Sequence, residues 1–524
     1  MNRREQGIER LDQILSGIVV AMVGGTIVAF GGQVWWYPPV LATLATAAVV
    51  VWLVRSALAG GIGFLRSPLT ALGLLIVGLG IVQNLPLPGR LAWLSPRSSI
   101  AADPEASSAQ PWVVSLDRPA TLRWTLAALT CVVLAVVVAH HVDRAGRLRL
   151  VWGAVIAGFG VGTLSGLLQL AAHAPGVYGI VAPESGPWWG PSMNERLAGP
   201  HVARWRALAP AGRPESEQMV PRIEPAYAIG PHVAGPGGQL ALGSLALPLV
   251  LALVAQALAP RGSREPLVVR VRQDGSGPWI GLAIPFYLAG AGLQGYLGGA
   301  LLAIPVALGL ALVAGGSSWR TGNARAALIL GGAGLLALGV GLALGSWLGR
   351  PPGSPWLAVG RHREELAELW KGAWKTGWEY RWLGVGLGAF GALIPQIKLF
   401  DAASETASSA LLQWWAETGL AGLAILLAGV VWVGMALAGA WRRVGQADRA
   451  LAAGLIGALV AFAGFSALHW TVQGLAISLA AAAVFGTAHR WLAGGTDLFV
   501  ESVGYDVLSG ALRELNPGLR ARTD

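Results

Sequence analysis

Apolar residues in this chain come in blocks of about twenty, divided by short polar interruptions, and that rhythm is stronger than any other pattern in the sequence. A hydrocarbon layer of about 30 Å is crossed by about twenty helical residues, so each block predicts one membrane-spanning helix. Spans are expected near 13–32, 38–57, 67–85, 120–141, 150–172, 237–258, 278–296, 298–316, 325–348, 418–440, 450–468 and 474–490. The predicted fold class is therefore all-α: a polytopic integral membrane protein of about twelve transmembrane helices, with a large outward loop between spans nine and ten. Residues 1–490 make the membrane domain, and 491–524 read as a polar tail with an amphipathic helix near 499–514.

The polar interruptions carry their own pattern, because lysine and arginine concentrate in short cytoplasmic connections. The opening MNRREQGIERLDQ runs into a full-length apolar block without a small-residue cleavage site, so it predicts a first span with a cytoplasmic amino end. With that start, the expected cytoplasmic turns carry Arg55 and Arg66; Arg144, Arg147 and Arg149; Arg261, Arg264, Arg270 and Arg272; Arg320 and Arg325; Arg442, Arg443 and Arg449. The short outward turns at 33–37, 297 and 469–473 carry none. One span more or fewer would invert every later loop, so this agreement supports twelve and puts both termini in the cytoplasm. The least marked division lies between spans seven and eight, where Gln294, Gly295, Tyr296, Gly298 and Gly299 interrupt one apolar region.

Composition narrows the class. Only 12% of residues are charged, against about 25% in a soluble domain, and 54% are hydrophobic. The single cysteine, Cys131, excludes a disulfide within the chain. A formal charge of +10 invites a nucleic-acid reading, but the arginines sit in short loops as topology anchors and form no contiguous basic face. No zinc motif, Walker loop or nucleophile elbow occurs, and GVGLGAF has no strand–helix–strand unit around it, so no metal, nucleotide or other cofactor is expected.

Three outward segments, 86–119, 173–236 and 349–417, are too long to be plain connectors. Candidate chemistry gathers in the third, where Arg361 to Gly422 is the one sizeable stretch joining basic, acidic and indole side chains beside apolar blocks. Leu366, Trp370, Trp374 and Trp378 recur at helical spacing, which predicts a helix along the membrane surface, with Arg363, Lys371, Lys375 and nearby Arg381 offered to water or an anion. Such cations suit a lipid-linked phosphate or pyrophosphate; taken as charge alone, they favour a solvated loop touching headgroups. Glu417 falls where a span begins, a depth at which a carboxylate is costly unless paired, although it could instead complement a helix N-terminus. His362 is a possible acid or base beside two arginines. His469 reads as polar glue between helices, His140 and His141 as interface residues, and His232 precedes a glycine-rich turn.

These stretches resemble the O-antigen ligase and polymerase superfamily of bacterial envelope glycosyltransferases. The resemblance rests on Trp370, then Leu383-Gly384-Val385-Gly386-Leu387-Gly388-Ala389-Phe390, Pro395, a polar link, and LLQWWAETGLAGL from Leu411 to Leu423. Weaker patches are LPLPGRLAWLSP, SLDRPATLRW and ALPLVLALV. It implies a bacterial inner-membrane enzyme with a large periplasmic loop over its active site. Such an enzyme moves a glycan from undecaprenyl pyrophosphate to an acceptor hydroxyl on a glycan or glycolipid, without metal or nucleotide. It also implies that Arg361 or Arg363 holds the departing pyrophosphate and matches Gln413 to the family's leucine-glutamine pair; Lys371, Lys375 and Arg381 join them as candidate substrate-binding residues by their charge.

The chain departs from the pattern at three places. Ser408-Ser409 stand where the family's histidine is expected, Leu297 stands before Gly298-Gly299 where an arginine is common, and Ala234-Gly235-Pro236-Gly237 replace asparagines. Serine is no base at neutral pH, and a lost general base is typically worth about 10²–10⁴ in rate, so Ser408 shifts the acceptor's proton to His362, Asp401 or Glu405. Glu417, Ser408 and His362 are thus the expected catalytic set. The alternative is an inactive relative that binds lipid-linked glycan or scaffolds envelope polysaccharide assembly. Ion-coupled transport is disfavoured, since charges within the predicted spans are nearly absent.

Overall fold

A computed structural model describes residues 3–29, 37–61, 65, 67–96, 112–171, 236–258, 355–393, 409–444, 449–468 and 475–493. Regular structure among them is entirely helical: α1 (Arg3–Val28), α2 (Tyr37–Ala59), α3 (Pro68–Asn84), α4 (Arg118–His141), α5 (Ala145–Ala171), α6 (Pro236–Leu258), α7 (Pro355–Glu379), α8 (Ala410–Arg443), α9 (Arg449–Leu468) and α10 (Leu475–Leu492). Six of these (α1, α2, α4, α8, α9 and α10) are long and apolar enough to cross a membrane, which makes this a helical membrane protein. The spans expected at 278–296, 298–316 and 325–348, the loop at 173–235 and the tail helix near 499–514 lie outside the described residues.

Local sequence explains where the helices start. Ser67 caps α3 by accepting from the Leu69 amide, with Pro68 at the first helical position. Asp117 caps α4 through the Ala120 amide, and Ser409 caps α8 through Leu412. Within α1, residues Ala21–Gly25 wind as a π turn, beside which Thr26 donates to the Met22 carbonyl and bonds the Tyr37 hydroxyl at 2.7 Å.

Packing relies on small residues, as expected where lipid supplies no hydrophobic drive between helices. A Cβ at Gly486 of α10 would meet Ala135 and Val138 of α4; one at Gly454 of α9 would meet Ala252 and the Pro248 carbonyl of α6. The main core draws on α1, α2, α4, α5, α6, α9 and α10, with Trp152, Phe159 and Phe465 wholly enclosed. By contrast, Leu427, Val430, Val431 and Met435 of α8 are exposed, an apolar outer face that suits acyl chains.

Two elements differ from expectation. The helix predicted at 13–32 begins at Arg3, because Asp12 and the polar residues before it join the helix instead of flanking it. The span expected at 418–440 is the second part of α8, which starts at Ala410 and breaks at Gly419, where φ is 58° and ψ is −152°. No side chain with a Cβ sits comfortably there.

Candidate functional site

The break in α8 exposes backbone groups on both sides, and the segment after α7 satisfies them. The first half, ending at Thr418, offers the Ala416 and Glu417 carbonyls, which accept from the Val385 and Gly386 amides at 3.1 and 3.0 Å. The second half begins with the Leu420 and Ala421 amides, which donate to the Arg381 and Trp382 carbonyls at 2.6 and 3.1 Å. Residues 381–386 therefore thread through the break as a mutual cap. Irregular backbone near membrane depth persists only where protein takes over its hydrogen bonds, and this loop does so.

The alternating glycines of LGVGLGAF follow from that geometry. Gly384 has φ +68°, and a Cβ there would overlap the Glu417 carbonyl group and the Thr418 amide. Gly386 and Gly388 repeat the positive φ, at +104° and +71°, against Ser115 with Thr121 and against the Trp124 ring. These glycines let a turn run in contact with two helices, and no phosphate cradle is needed to account for them.

Glu417 sits at the centre, 1% exposed. Gln413, one turn earlier, donates to its carboxylate at 2.7 Å, the Phe390 amide approaches at 3.4 Å, and the Gly388 amide also faces it. No ion pair to Glu417 occurs among the described residues. Its partners are the glycine loop and its own helix, so it fastens the loop to α8 instead of completing the first turn of a span.

The residue that sequence reasoning missed is Gln83, at the end of α3. It is fully buried, donates to the Leu383 and Glu417 carbonyls at 2.8 Å each, and accepts from the Leu387 amide at 3.0 Å. One side chain thus joins α3, the glycine loop and α8. The Gln83 carbonyl accepts from Ser115, and Leu116 donates to the Val385 carbonyl, so the segment before α4 belongs to the same knot. A hint lay in the sequence: a glutamine closing an apolar block needs partners for three or four hydrogen bonds.

Helix α7 packs beside this knot through Leu369, Ala373, Thr376 and Gly377, the first two meeting Phe390, Ala416 and Leu412. A Cβ at Gly377 would strike the Trp415 indole. Trp374 and Trp378 border that seam, with ring centroids 6.2 and 5.6 Å from Trp415, yet both remain exposed. The expected stripe of tryptophans exists, but the packed stripe is a neighbouring one built of smaller residues.

Of the expected site residues, the structure brings together Gln413 and Glu417. Lys371 is exposed and pairs with Glu368 at 2.7 Å; Lys375 is exposed; Arg381 is exposed, with its guanidinium 5.7 Å from the Trp382 ring centroid. Arg361, His362 and Arg363 lie in the first half of α7. Arg363 is fourteen residues before Gly377, about 21 Å along the helix, so these residues stand well away from Glu417 along α7. Ser408, Asp401, Glu405, His232 and His469 lie outside the described residues.

A second polar cluster closes the opposite end of the bundle, built from residues at or beside the ends of the predicted spans. Asp12 of α1 pairs with Arg55 of α2 at 3.1 Å and with Arg147 of α5 at 2.7 Å, while Asp143 bonds Arg147 at 2.8 Å. Buried His141 bonds Ser16 at 2.8 Å. Beside them, His140 accepts from the Leu65 amide and His489 approaches the Leu65 carbonyl, each at 3.1 Å. No group of His, Cys, Asp and Glu among the described residues could hold a metal ion.

No protein-family model matches the sequence, and no curated protein matches it.

Proposed function

We propose that this chain is a glycosyltransferase of the O-antigen ligase type, moving a glycan from undecaprenyl pyrophosphate to an acceptor hydroxyl at the periplasmic face of the bacterial inner membrane. The observation that carries the proposal is the interlock at Gly419: a broken helix, a glycine loop and a cation-bearing helix are fixed to one another where a membrane-crossing segment begins. A substrate whose phosphates lie at a membrane surface and whose sugar extends into water needs such a rigid platform at that level. In this reading Arg361 or Arg363 neutralises the pyrophosphate as it leaves, and the acceptor gives its proton to a loop group, His362 being the one on α7. Glu417 and Gln413 are positioning residues that hold the platform. Both termini face the cytoplasm.

The test is deletion of the gene followed by complementation. Loss of the protein should make undecaprenyl-linked glycan accumulate, and wild-type protein should clear it. Arg361→Ala or Arg363→Ala should fail to clear it while reaching the membrane in normal amount. A deletion strain with no accumulation would end the proposal.

One observation favours a second reading, in which the protein binds lipid-linked glycan without transferring it: the Glu417 carboxylate is closed in by amides and cannot meet a substrate without rearrangement. Purified protein given labelled lipid-linked glycan separates the two, since a pure binder retains the lipid and releases no product.

A further inference from the structure

We infer that the indole and cation sectors of α7 form a docking surface for anionic phospholipid headgroups, holding this helix along the membrane–water boundary. The inference is independent of sugar transfer.

The level of the helix follows from the interlock. The part of α8 after the break, Leu420–Arg443, holds twenty-four residues, about 36 Å of helix, more than the hydrocarbon layer of about 30 Å. It ends in Arg442 and Arg443, which belong in the polar layer. Its first amides are tied to the Arg381 and Trp382 carbonyls, so the segment leaving α7 lies in the opposite polar layer.

Around the axis, at about 100° per residue, the part of α7 from Ala367 to Glu379 divides into four sectors, the last of them Glu368, Gly372 and Glu379 on the far side of the lysines. Leu369, Ala373, Thr376 and Gly377 pack on the protein. Trp374 and Trp378, 54% and 52% exposed, follow together with Trp370 and Ala367. Lys371 and Lys375 come next. Indole is the side chain most at home among headgroups, and a row of cations beside it complements anionic lipid. Neither Lys375 nor Arg381 has an ion-pair partner among the described residues, and the Lys371 pair with Glu368 is open to water, where it contributes little. The pairing of indole with cation recurs after α3, where Arg90 and the 62%-exposed Trp93 share the turn Gly89–Leu94. A protein partner would call for a continuous apolar patch; alternating indole and charge fits a headgroup layer better.

The experiment uses the full chain in vesicles, with Cys131→Ser and single cysteines at Ala367, Trp374 or Trp378, each labelled with an environment-sensitive fluorophore. In vesicles containing phosphatidylglycerol, all three probes should be shielded from aqueous iodide and quenched alike by a nitroxide near the headgroup. Ala367 and Trp378 are about 16 Å apart along the helix, wider than one headgroup layer, so an upright helix would leave the Ala367 probe in water and overturn the inference. Replacing phosphatidylglycerol with phosphatidylcholine should raise iodide quenching about fivefold or more, since each surface cation shifts such an equilibrium by about that factor. Lys371→Gln, Lys375→Gln and Arg381→Gln together should reproduce that rise in phosphatidylglycerol vesicles; the wild-type lipid comparison stands even if this variant folds poorly. Equal quenching in both lipids, or shielding that appears only when a soluble protein is added, would overturn the assignment to anionic lipid.

Discussion

At one end of the bundle Asp12 reaches two guanidinium groups from different helices; at the other, Glu417 is at least as enclosed and reaches only an amide side chain and main-chain N–H groups. Both devices keep a carboxylate out of water, on different terms. Asp12 is a charge answered by charge, so its removal leaves Arg55 and Arg147 with Asp143 between them. Glu417 is answered by dipoles that already belong to a turn, so most of the arrangement is held by Gln83 and the backbone. The Asp12 cluster ties together helices that are distant in sequence, whereas the Glu417 cluster fixes a loop against a broken helix. The contrast teaches that burial of a carboxylate does not by itself mark chemistry: what faces it decides whether it is a staple, a positioning group or a reactant.

The strongest way to break the contrast is Asp12→Ala. It leaves Arg55 and Arg147, both largely sheltered, to share Asp143, so the cost lies toward the lower end of the about 3–5 kcal/mol of a buried ion pair that loses a partner outright. A pronounced fall in melting temperature in detergent is expected, with Asp12→Asn nearly as harmful because the lost quantity is charge. An unchanged melting temperature would mean the cluster is solvated and holds nothing.

Next comes Gly384→Ala. A left-handed backbone costs a residue with a Cβ about 1–2 kcal/mol, and overlap with the Glu417 carbonyl adds about 1–3 kcal/mol. The expected sum, about 2–5 kcal/mol, should appear as faster proteolysis between α7 and α8 before the rest of the bundle melts. Simultaneous loss of the whole bundle would show that the interlock is not a separable unit.

The sequence was most legible where one property dominated. Apolar length marked α2, α4 and α9 to within a few residues, because a membrane helix must be long, apolar and hydrogen-bonded within itself, and the apolar helices α3 and α6 also fell where it placed them. The break at Gly419 was not legible: ETGLAG can continue a helix, and only the partners from residues 381–386 make interruption favourable. Asp12 read as part of a charged flank because Arg55 and Arg147 lie far away in sequence. The α7 stripe was visible in its period, but its packed side was not. In water the largest apolar side chains would mark the buried face; beside lipid, Trp374 and Trp378 can face outward while Ala373 and Gly377 make the close contact. Gln83 looked like an ordinary block boundary, since its three hydrogen bonds all go to backbone groups that no motif records.

Gln83→Ala sharpens the comparison by removing the neutral connector and leaving the carboxylate. The Leu387 amide and Leu383 carbonyl lose the Gln83 bonds, whereas the Glu417 carbonyl keeps Gly386, so about 1–3 kcal/mol is expected. Melting should shift less than for Asp12→Ala, and hydrogen exchange at residues 384–390 should rise. Exchange unchanged there would show that the loop holds itself.

The smallest expected effect is also the most discriminating. In Glu417→Gln the side-chain oxygen still accepts from Gln413 and the Phe390 amide, the Gly388 amide has one acceptor oxygen fewer beside it, shape is kept, and no cation among the described residues loses a partner. The cost should stay at about 1 kcal/mol, the scale of one weakened hydrogen bond, although the same loss of charge at Asp12 is severe. Melting curves of Glu417→Gln and Asp12→Asn, recorded side by side, test this directly. If the Glu417 variant melts as early as the Asp12 variant, the dipole account is wrong and an unseen cation shares the site. If it melts normally yet no longer clears undecaprenyl-linked glycan from the deletion strain, the carboxylate takes part in transfer, and the enclosed state of Glu417 is one of two positions of the loop. Retained clearance with normal melting leaves Glu417 a positioning residue, and the search for the base moves to His362 and the segment between α7 and α8.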